Sequence, residues 1–306
     1  MVGSKRAAEM LESGTKTLQL MEFIIAGGHF GINVAKVDEI MKYSQHTITP
    51  MPNSNPFVEG IFKPRDDTMT VINLAAYMGL PPSENEERDI LIITKLNNTK
   101  TAFHVHGVKA IDVVAMSDIE KPDITIYGGE EGMATGVAKH EDRLITIIDF
   151  EKILFDISPN LGFSPDDVNI LGSRSRSAKP IMIVEDSPLL ERLSFQSLEK
   201  AGYTNVICVN NGQEAWNLLN GYKESGRPIE EHVCAIVADI EMPIMDGHTL
   251  IRNIKADEVL KKLPVIIFSS LITEDMRVLG EKIGASGNVS KPDISKLITL
   301  VDQYIL

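Results

Sequence analysis

The sequence predicts two domains of different class, an all-β N-terminal half followed by an α/β doubly wound C-terminal half. Length is the first observation, because 306 residues suffice for two cores of ordinary size. Texture is the second. Residues from about Thr17 to Phe155 run as short alternating or β-branched stretches between Gly, Pro and Asn, whereas beyond Lys179 apolar strands alternate with helix-length amphipathic segments. The third is a polar break between them, rich in Ser and Pro and ending in Ser173-Arg-Ser-Arg-Ser-Ala-Lys179. The boundaries that follow are an N-terminal segment 1–16, a β domain 17–157, a linker 158–178 that is flexible at its end, and an α/β domain 179–306.

In the first half the strand-like runs are Leu18 to Ile25, Thr68 to Leu74, Ile90 to Lys95 and Leu144 to Ile148, a pattern of barrels or sandwiches rather than helices. Two stretches repeat. Gly60 to Leu74 lies over Gly136 to Phe150 without a gap, and Gly, Lys, Asp, Thr and Ile recur at matching positions. A duplicated hairpin, polar at its tip and apolar in its second arm, implies two similar β-subdomains packed as a pair. His104 and His106 alternate on one strand but lack a third ligand at suitable spacing, so they read as edge or interface histidines. Asp66 and Asp67 at the hairpin tip read as a solvated turn, with too few oxygen donors around them for calcium.

In the second half the strands include Ile181 to Val184, Val233 to Ala238, Val265 to Phe268 and Asn288 to Ser290, and their alternation with helices implies a parallel sheet covered on both faces. Such sheets carry their site at the carboxyl ends of the strands. There this chain places Asp186, Asp239, Ser269 and Lys291, with Ser187-Pro188 positioned to cap and start the next helix. Gathered carboxylates repel one another unless a cation joins them, so Asp186 and Asp239 suit a hard divalent ion, magnesium, held by oxygen. With the metal and Lys291 withdrawing charge from a phosphoryl group, an aspartate oxygen can attack phosphorus in line, and Ser269 can hydrogen-bond a phosphoryl oxygen.

Composition narrows the partners. A formal net charge of -13 opposes nucleic acid and anionic membrane, which need a basic footprint. Cys208 and Cys234, the only cysteines, lie in apolar runs that read as buried strands, and no run is of signal-peptide or bilayer-spanning character. The expectation is a cytoplasmic protein with no direct membrane insertion.

Four segments carry a resemblance: Ile181-Met-Ile-Val-Glu-Asp-Ser187, Val237 to Gly247, Leu263 to Ser270 and Ser290-Lys-Pro292 are similar to the response-regulator receiver family. The likeness implies a flavodoxin-like fold of five parallel strands, Asp239 as phosphoacceptor, Asp186 as a direct metal ligand, and Glu185 acting through water. It further implies the Glu241 backbone carbonyl as a ligand, Ser269 and Lys291 as sensors of the phosphoryl group, and a cis peptide before Pro292. The family often has an aromatic switch residue where this chain has Asn288, so readout needs another linkage. Leu271 cannot orient an attacking water, so slow self-dephosphorylation is expected.

Phe30 to Ile40, Ile48 to Ile61, Arg65 to Leu74 and Gly136 to Phe150 resemble the CheW family of chemotaxis coupling proteins. That implies a double β-barrel, docking on a chemotaxis histidine kinase and on the cytoplasmic tips of chemoreceptors, and a charged pair, Glu39 with Arg65; if the two meet, the guanidinium holds the hairpin and the pair is partly buried, the alternative being two independent surface charges. The hairpin departs from the family at Asp66, Thr70 and Asn73. A coupling domain followed by a receiver is the CheV-type arrangement, which implies a non-enzymatic scaffold joining receptors to kinase and tuned by phosphorylation. Two rivals stay open. A phosphate sink would leave coupling untouched by Asp239→Ala, and an aspartate-nucleophile phosphohydrolase, suggested by Asp239-Ile-Glu241, would turn over small phosphate esters.

Overall fold

The computed structural model describes residues 17–65, 67–96, 99–120, 132–159, 164–172, 176–270 and 274–306. These fall into two compact units divided near residue 161. The expected N-terminal segment 1–16 lies outside the described residues.

The first unit is built of strands β1 (Thr17–Ile25), β2 (Gly28–Asn33), β3 (Val37–Lys42), β4 (Val58–Phe62), β5 (Met69–Asn73), β6 (Ile90–Leu96), β7 (Thr99–Val105), β8 (Gly107–Ala115), β9 (Ile119–Glu120), β10 (Ala134–His140) and β11 (Arg143–Ile148), with helices α1 (Leu74–Tyr77) and α2 (Phe150–Ile157). They form two sheets, ordered β8-β1-β2-β11-β10-β9 and β3-β6-β7-β5-β4. The sheets share one plan. In each, a hairpin (β1–β2 or β6–β7) takes an antiparallel edge strand on one side (β8 or β3), and on the other its second strand pairs in parallel with the second arm of the repeated hairpin (β11 or β5).

The repeated hairpins correspond in detail. Their ladders slip at Val58/Gly60 and at Ala134/Gly136, so the aligned glycines mark matching bulges. Each hairpin then runs into a helix capped by aligned residues, Asn73 accepting from the Ala76 amide at 2.8 Å and Asp149 from Glu151 and Lys152 at 3.1 and 3.0 Å. Gly60 has φ +151°, and a Cβ there would lie 2.2 Å from the Thr49 carbonyl oxygen. Among the described residues, three apolar clusters fill the unit. One lies on each sheet (Leu20, Val114, Ile145; Val71, Leu91, Ala102), and one between them joins Phe23, Phe103 and Phe150. Ile32 is 1% exposed and Val34 and Val37 pack against the central cluster, so these positions are core.

The second unit alternates β12 (Ile181–Val184), α3 (Pro188–Lys200), β13 (Val206–Val209), α4 (Gly212–Glu224), β14 (Ala235–Ala238), α5 (Gly247–Ala256), β15 (Val265–Ser269), α6 (Glu274–Lys282), β16 (Gly287–Ser290) and α7 (Ile294–Ile305). All five strands are parallel, in the order β13-β12-β14-β15-β16. Order reverses at β12, which puts a crevice over the carboxyl ends of β12 and β14. Cys208 lies on the edge strand β13, while Cys234 just precedes β14; both are half-buried free thiols, and burial pushes Cys208 up to about 12.

Part of the segment read as a linker has structure of its own. Pro165–Leu171 is a 3-10 helix, started by a Ser164 capping box and Pro165. Val168 is 3% exposed, Asp166 pairs with Lys200 of α3, and the Ser295 hydroxyl of α7 donates to the Asp167 carbonyl at 3.4 Å. Further on, Ser177 bridges to Tyr203. These residues belong to the α/β unit, because a side chain such as Val168 gains its burial there.

Candidate metal and phosphoryl site

Each group at the crevice is placed by the turn that ends its strand. After β12, Ser187 caps α3 by accepting from the Leu190 amide at 3.4 Å, and its own amide donates to Glu185 Oε1 at 3.3 Å. After β14, the Asp239 amide donates to the Val184 carbonyl at 2.9 Å, and Asp239 Oδ1 accepts from the Ile240 amide at 2.7 Å. Asp246 caps α5, and Gly247 sits so close beneath the acidic turn that a Cβ would fall 2.1 Å from the Asp239 carbonyl oxygen. After β16, the Lys291–Pro292 peptide is cis, as the resemblance implied.

Carboxylate oxygens of Glu185, Asp186 and Asp239 lie within 4.8 Å of one another. Lys291, fully buried, places Nζ 2.7 Å from Glu185 Oε2 and 3.4 Å from Asp239 Oδ2, and 5.9 Å above the Phe268 ring centroid. Glu185 and Asp239 are themselves 3% and 4% exposed. Three carboxylates against one ammonium leave negative charge gathered in a largely desolvated crevice, and the donors are all hard oxygens, so the residues fit a divalent ion such as magnesium.

Ser269, 2% exposed, ends β15 opposite Ser290 in the ladder, and its carbonyl accepts from the Lys291 amide at 3.0 Å. Glu241 lies two residues beyond Asp239 in the same turn. Asn288 pairs with Ile267 in the ladder, and α6 meets it at Gly280, where a Cβ would stand 2.6 Å from Asn288 Oδ1. The structure thus brings Glu185, Asp186, Asp239 and Lys291 together and sets Ser269 and Asn288 on the neighbouring strands. Leu271 and Asp66 lie outside the described residues.

In the β unit, Arg65 Nη2 donates to Glu39 Oε1 at 3.2 Å, so the pair forms. Its expected burial does not hold: Arg65 is 77% and Glu39 39% exposed at the side chain, because the hairpin tip projects to solvent. Losing either partner therefore strands no buried charge. Asp67 is solvated, as expected, but also bonds Lys100 at 3.1 Å, which in turn reaches Asp38.

Two buried ionic clusters escaped the sequence reading. Glu22 on β1, fully buried, accepts from Arg143 Nε and Nη2 at 3.2 and 3.1 Å, from Lys109 at 3.3 Å, and pairs with His29. Burial pushes its carboxyl up, but hydrogen bonds with Asp112, His29, Arg143 and Lys109 outweigh that and hold it well below the usual range. A charge inside the apolar run Leu20-Met-Glu-Phe-Ile24 was the available signal. The second cluster centres on His104, which was read as an edge or interface residue and is instead buried between two carboxylates.

Comparison with known proteins matches both units. Residues 19–158 fit the CheW-like domain and residues 181–302 the response regulator receiver domain. The chain is therefore a two-domain signalling protein, a CheW-like domain joined to a receiver. That is the CheV-type arrangement. Chemotaxis protein CheV3 of Helicobacter pylori is 28% identical over 301 residues, covering 94% of each chain, and CheV2 of the same organism is 26% identical over 283 residues, covering 88% of this chain and 87% of its own. Chemotaxis protein CheW of Thermotoga maritima is 25% identical over 152 residues, 50% of this chain and 97% of its own.

Proposed function

We propose that this protein is a chemotaxis scaffold whose CheW-like domain couples chemoreceptors to a histidine kinase, and whose receiver, phosphorylated on Asp239, tunes that coupling. The observation that carries the reading is the set of carboxylates of Glu185, Asp186 and Asp239 within 4.8 Å, faced by the Lys291 ammonium, on the same chain as a coupling domain. Asp186, Asp239 and the Glu241 backbone carbonyl would hold a magnesium ion, with Glu185 acting through water. Bound there, the ion neutralises charge that builds on the phosphoryl oxygens.

The chain's own residues do the rest. An Asp239 carboxylate oxygen attacks phosphorus in line, the new O–P bond forms as the P–N bond to the donor histidine breaks, and the imidazole keeps the electron pair and takes a proton. Lys291 moves its hydrogen bond to a phosphoryl oxygen, and the Ser269 hydroxyl donates to another. The acyl phosphate is expected to be long-lived, because Leu271 offers no polar atom to an incoming water. The chain catalyses no turnover of its own, and it works in the cytoplasm, where kinase and receptor tips meet.

The test is reconstitution of kinase activity with receptor and this protein, wild type and Asp239→Asn, with and without a phosphodonor. Kinase output that depends on the protein and changes on phosphorylation of the wild type alone is the expected result. Equal output in every arm would refute the reading.

A further inference from the structure

We propose that His104 is a pH-responsive latch of the coupling domain: its doubly protonated ring ties three segments of the second sheet together, and loss of a proton releases one of them. The geometry is a clamp. On β7, between β5 and β6, His104 is 6% exposed; Nδ1 lies 2.7 Å from Glu59 Oε1 of β4, and Nε2 lies 2.9 Å from Asp89 Oδ2 in the loop before β6. The ring stacks on Tyr43 with centroids 3.9 Å apart and planes 7° from parallel. Asn73 Nδ2 donates to Glu59 at 2.6 Å, and Ser83 to Asp89 at 2.7 Å, which fixes both carboxylates.

A carboxylate only accepts, so two carboxylates on one imidazole require an N–H at each nitrogen. A neutral ring supplies one. Asp89, 0% exposed, or Glu59 would then face a lone pair in a desolvated site, with the other acid nearby and no cation between them. The titratable groups about the ring are Glu59, Asp89, Tyr43, His106 and, beyond Tyr43, Glu86. Burial favours the neutral ring, but the hydrogen bonds and charges of Glu59 and Asp89 outweigh it and raise His104 above 6.5. The latch is therefore closed below that pH and opens as pH rises through the raised value. Nε2 is the nitrogen that faces Asp89, so loss of its proton loosens the loop from Ser83 to Arg88, which forms one wall of a cleft of about 460 Å³ whose other side is Ala26, Gly27 and His106.

The experiment uses the full chain. The His104 ring is followed by NMR through a pH titration, alongside hydrogen exchange of residues 83–89 corrected for intrinsic rate, from about pH 6 to about pH 8.5. The expected result is a His104 midpoint above 6.5 and protection of this loop falling roughly tenfold across it. In His104→Gln, which cannot titrate, protection should be flat with pH, and in Glu59→Gln the His104 midpoint should drop. A midpoint below 6.5 in the wild type, an unmoved midpoint in Glu59→Gln, or unchanged pH dependence in His104→Gln would each overturn the proposal.

Discussion

Lys291 shows what a single side chain does here. It is the buried cation between Glu185 and Asp239, so replacing it leaves two carboxylates facing each other in a crevice with little water. Lys291→Met should therefore lose about 3–5 kcal/mol of receiver stability in chelator. Magnesium should restore part of that loss, which denaturant titration with and without the ion would measure; equal stability of mutant and wild type in chelator would contradict it. The acidic cluster and Lys291 were legible in the sequence because each ends a strand in a fold whose strand ends converge. Glu22 and His104 were not, since a buried charge is explained only by partners, and theirs come from 59, 89, 109 and 143, positions that no local pattern connects. The Glu39–Arg65 pair was legible as a contact but not as a surface one, because spacing carries no measure of exposure.

At the scale of elements, the hairpin repeat was readable as matched residues, and its meaning appeared in the ladders: both copies bulge at the aligned glycine and cap the following helix with the aligned Asn73 or Asp149. The two glycines are not equivalent. A Cβ on Gly60 meets the Thr49 backbone at 2.2 Å with φ +151°, whereas on Gly136 the nearest atom is a side-chain methyl of Ile119 at 3.0 Å. Gly60→Ala should thus lower the stability of the β unit by ~2 kcal/mol or more and Gly136→Ala by clearly less, as thermal unfolding would report. Equal effects would mean that the bulge, not the Thr49 contact, sets the requirement. The helix at Pro165–Leu171 was hidden in a stretch whose Ser, Pro and Asp read as linker. The same residues make a capping box, and only packing on α3 and α7 decides between the two.

For the whole molecule, texture and length were enough to separate an all-β unit from a parallel α/β unit, and the comparisons place both in known families. Sequence did not show where the α/β unit begins, since Pro165–Leu171 joins it by tertiary contact rather than by pattern. Coupling by one unit and phosphorylation of the other form a single account only if Asp239 accepts a phosphoryl group. Intact-mass measurement after incubation with acetyl phosphate and magnesium tests this most directly. The account predicts the gain of one phosphoryl group, mapped to Asp239 and lost in Asp239→Asn or in chelator. No gain, or a gain that survives Asp239→Asn, would contradict it.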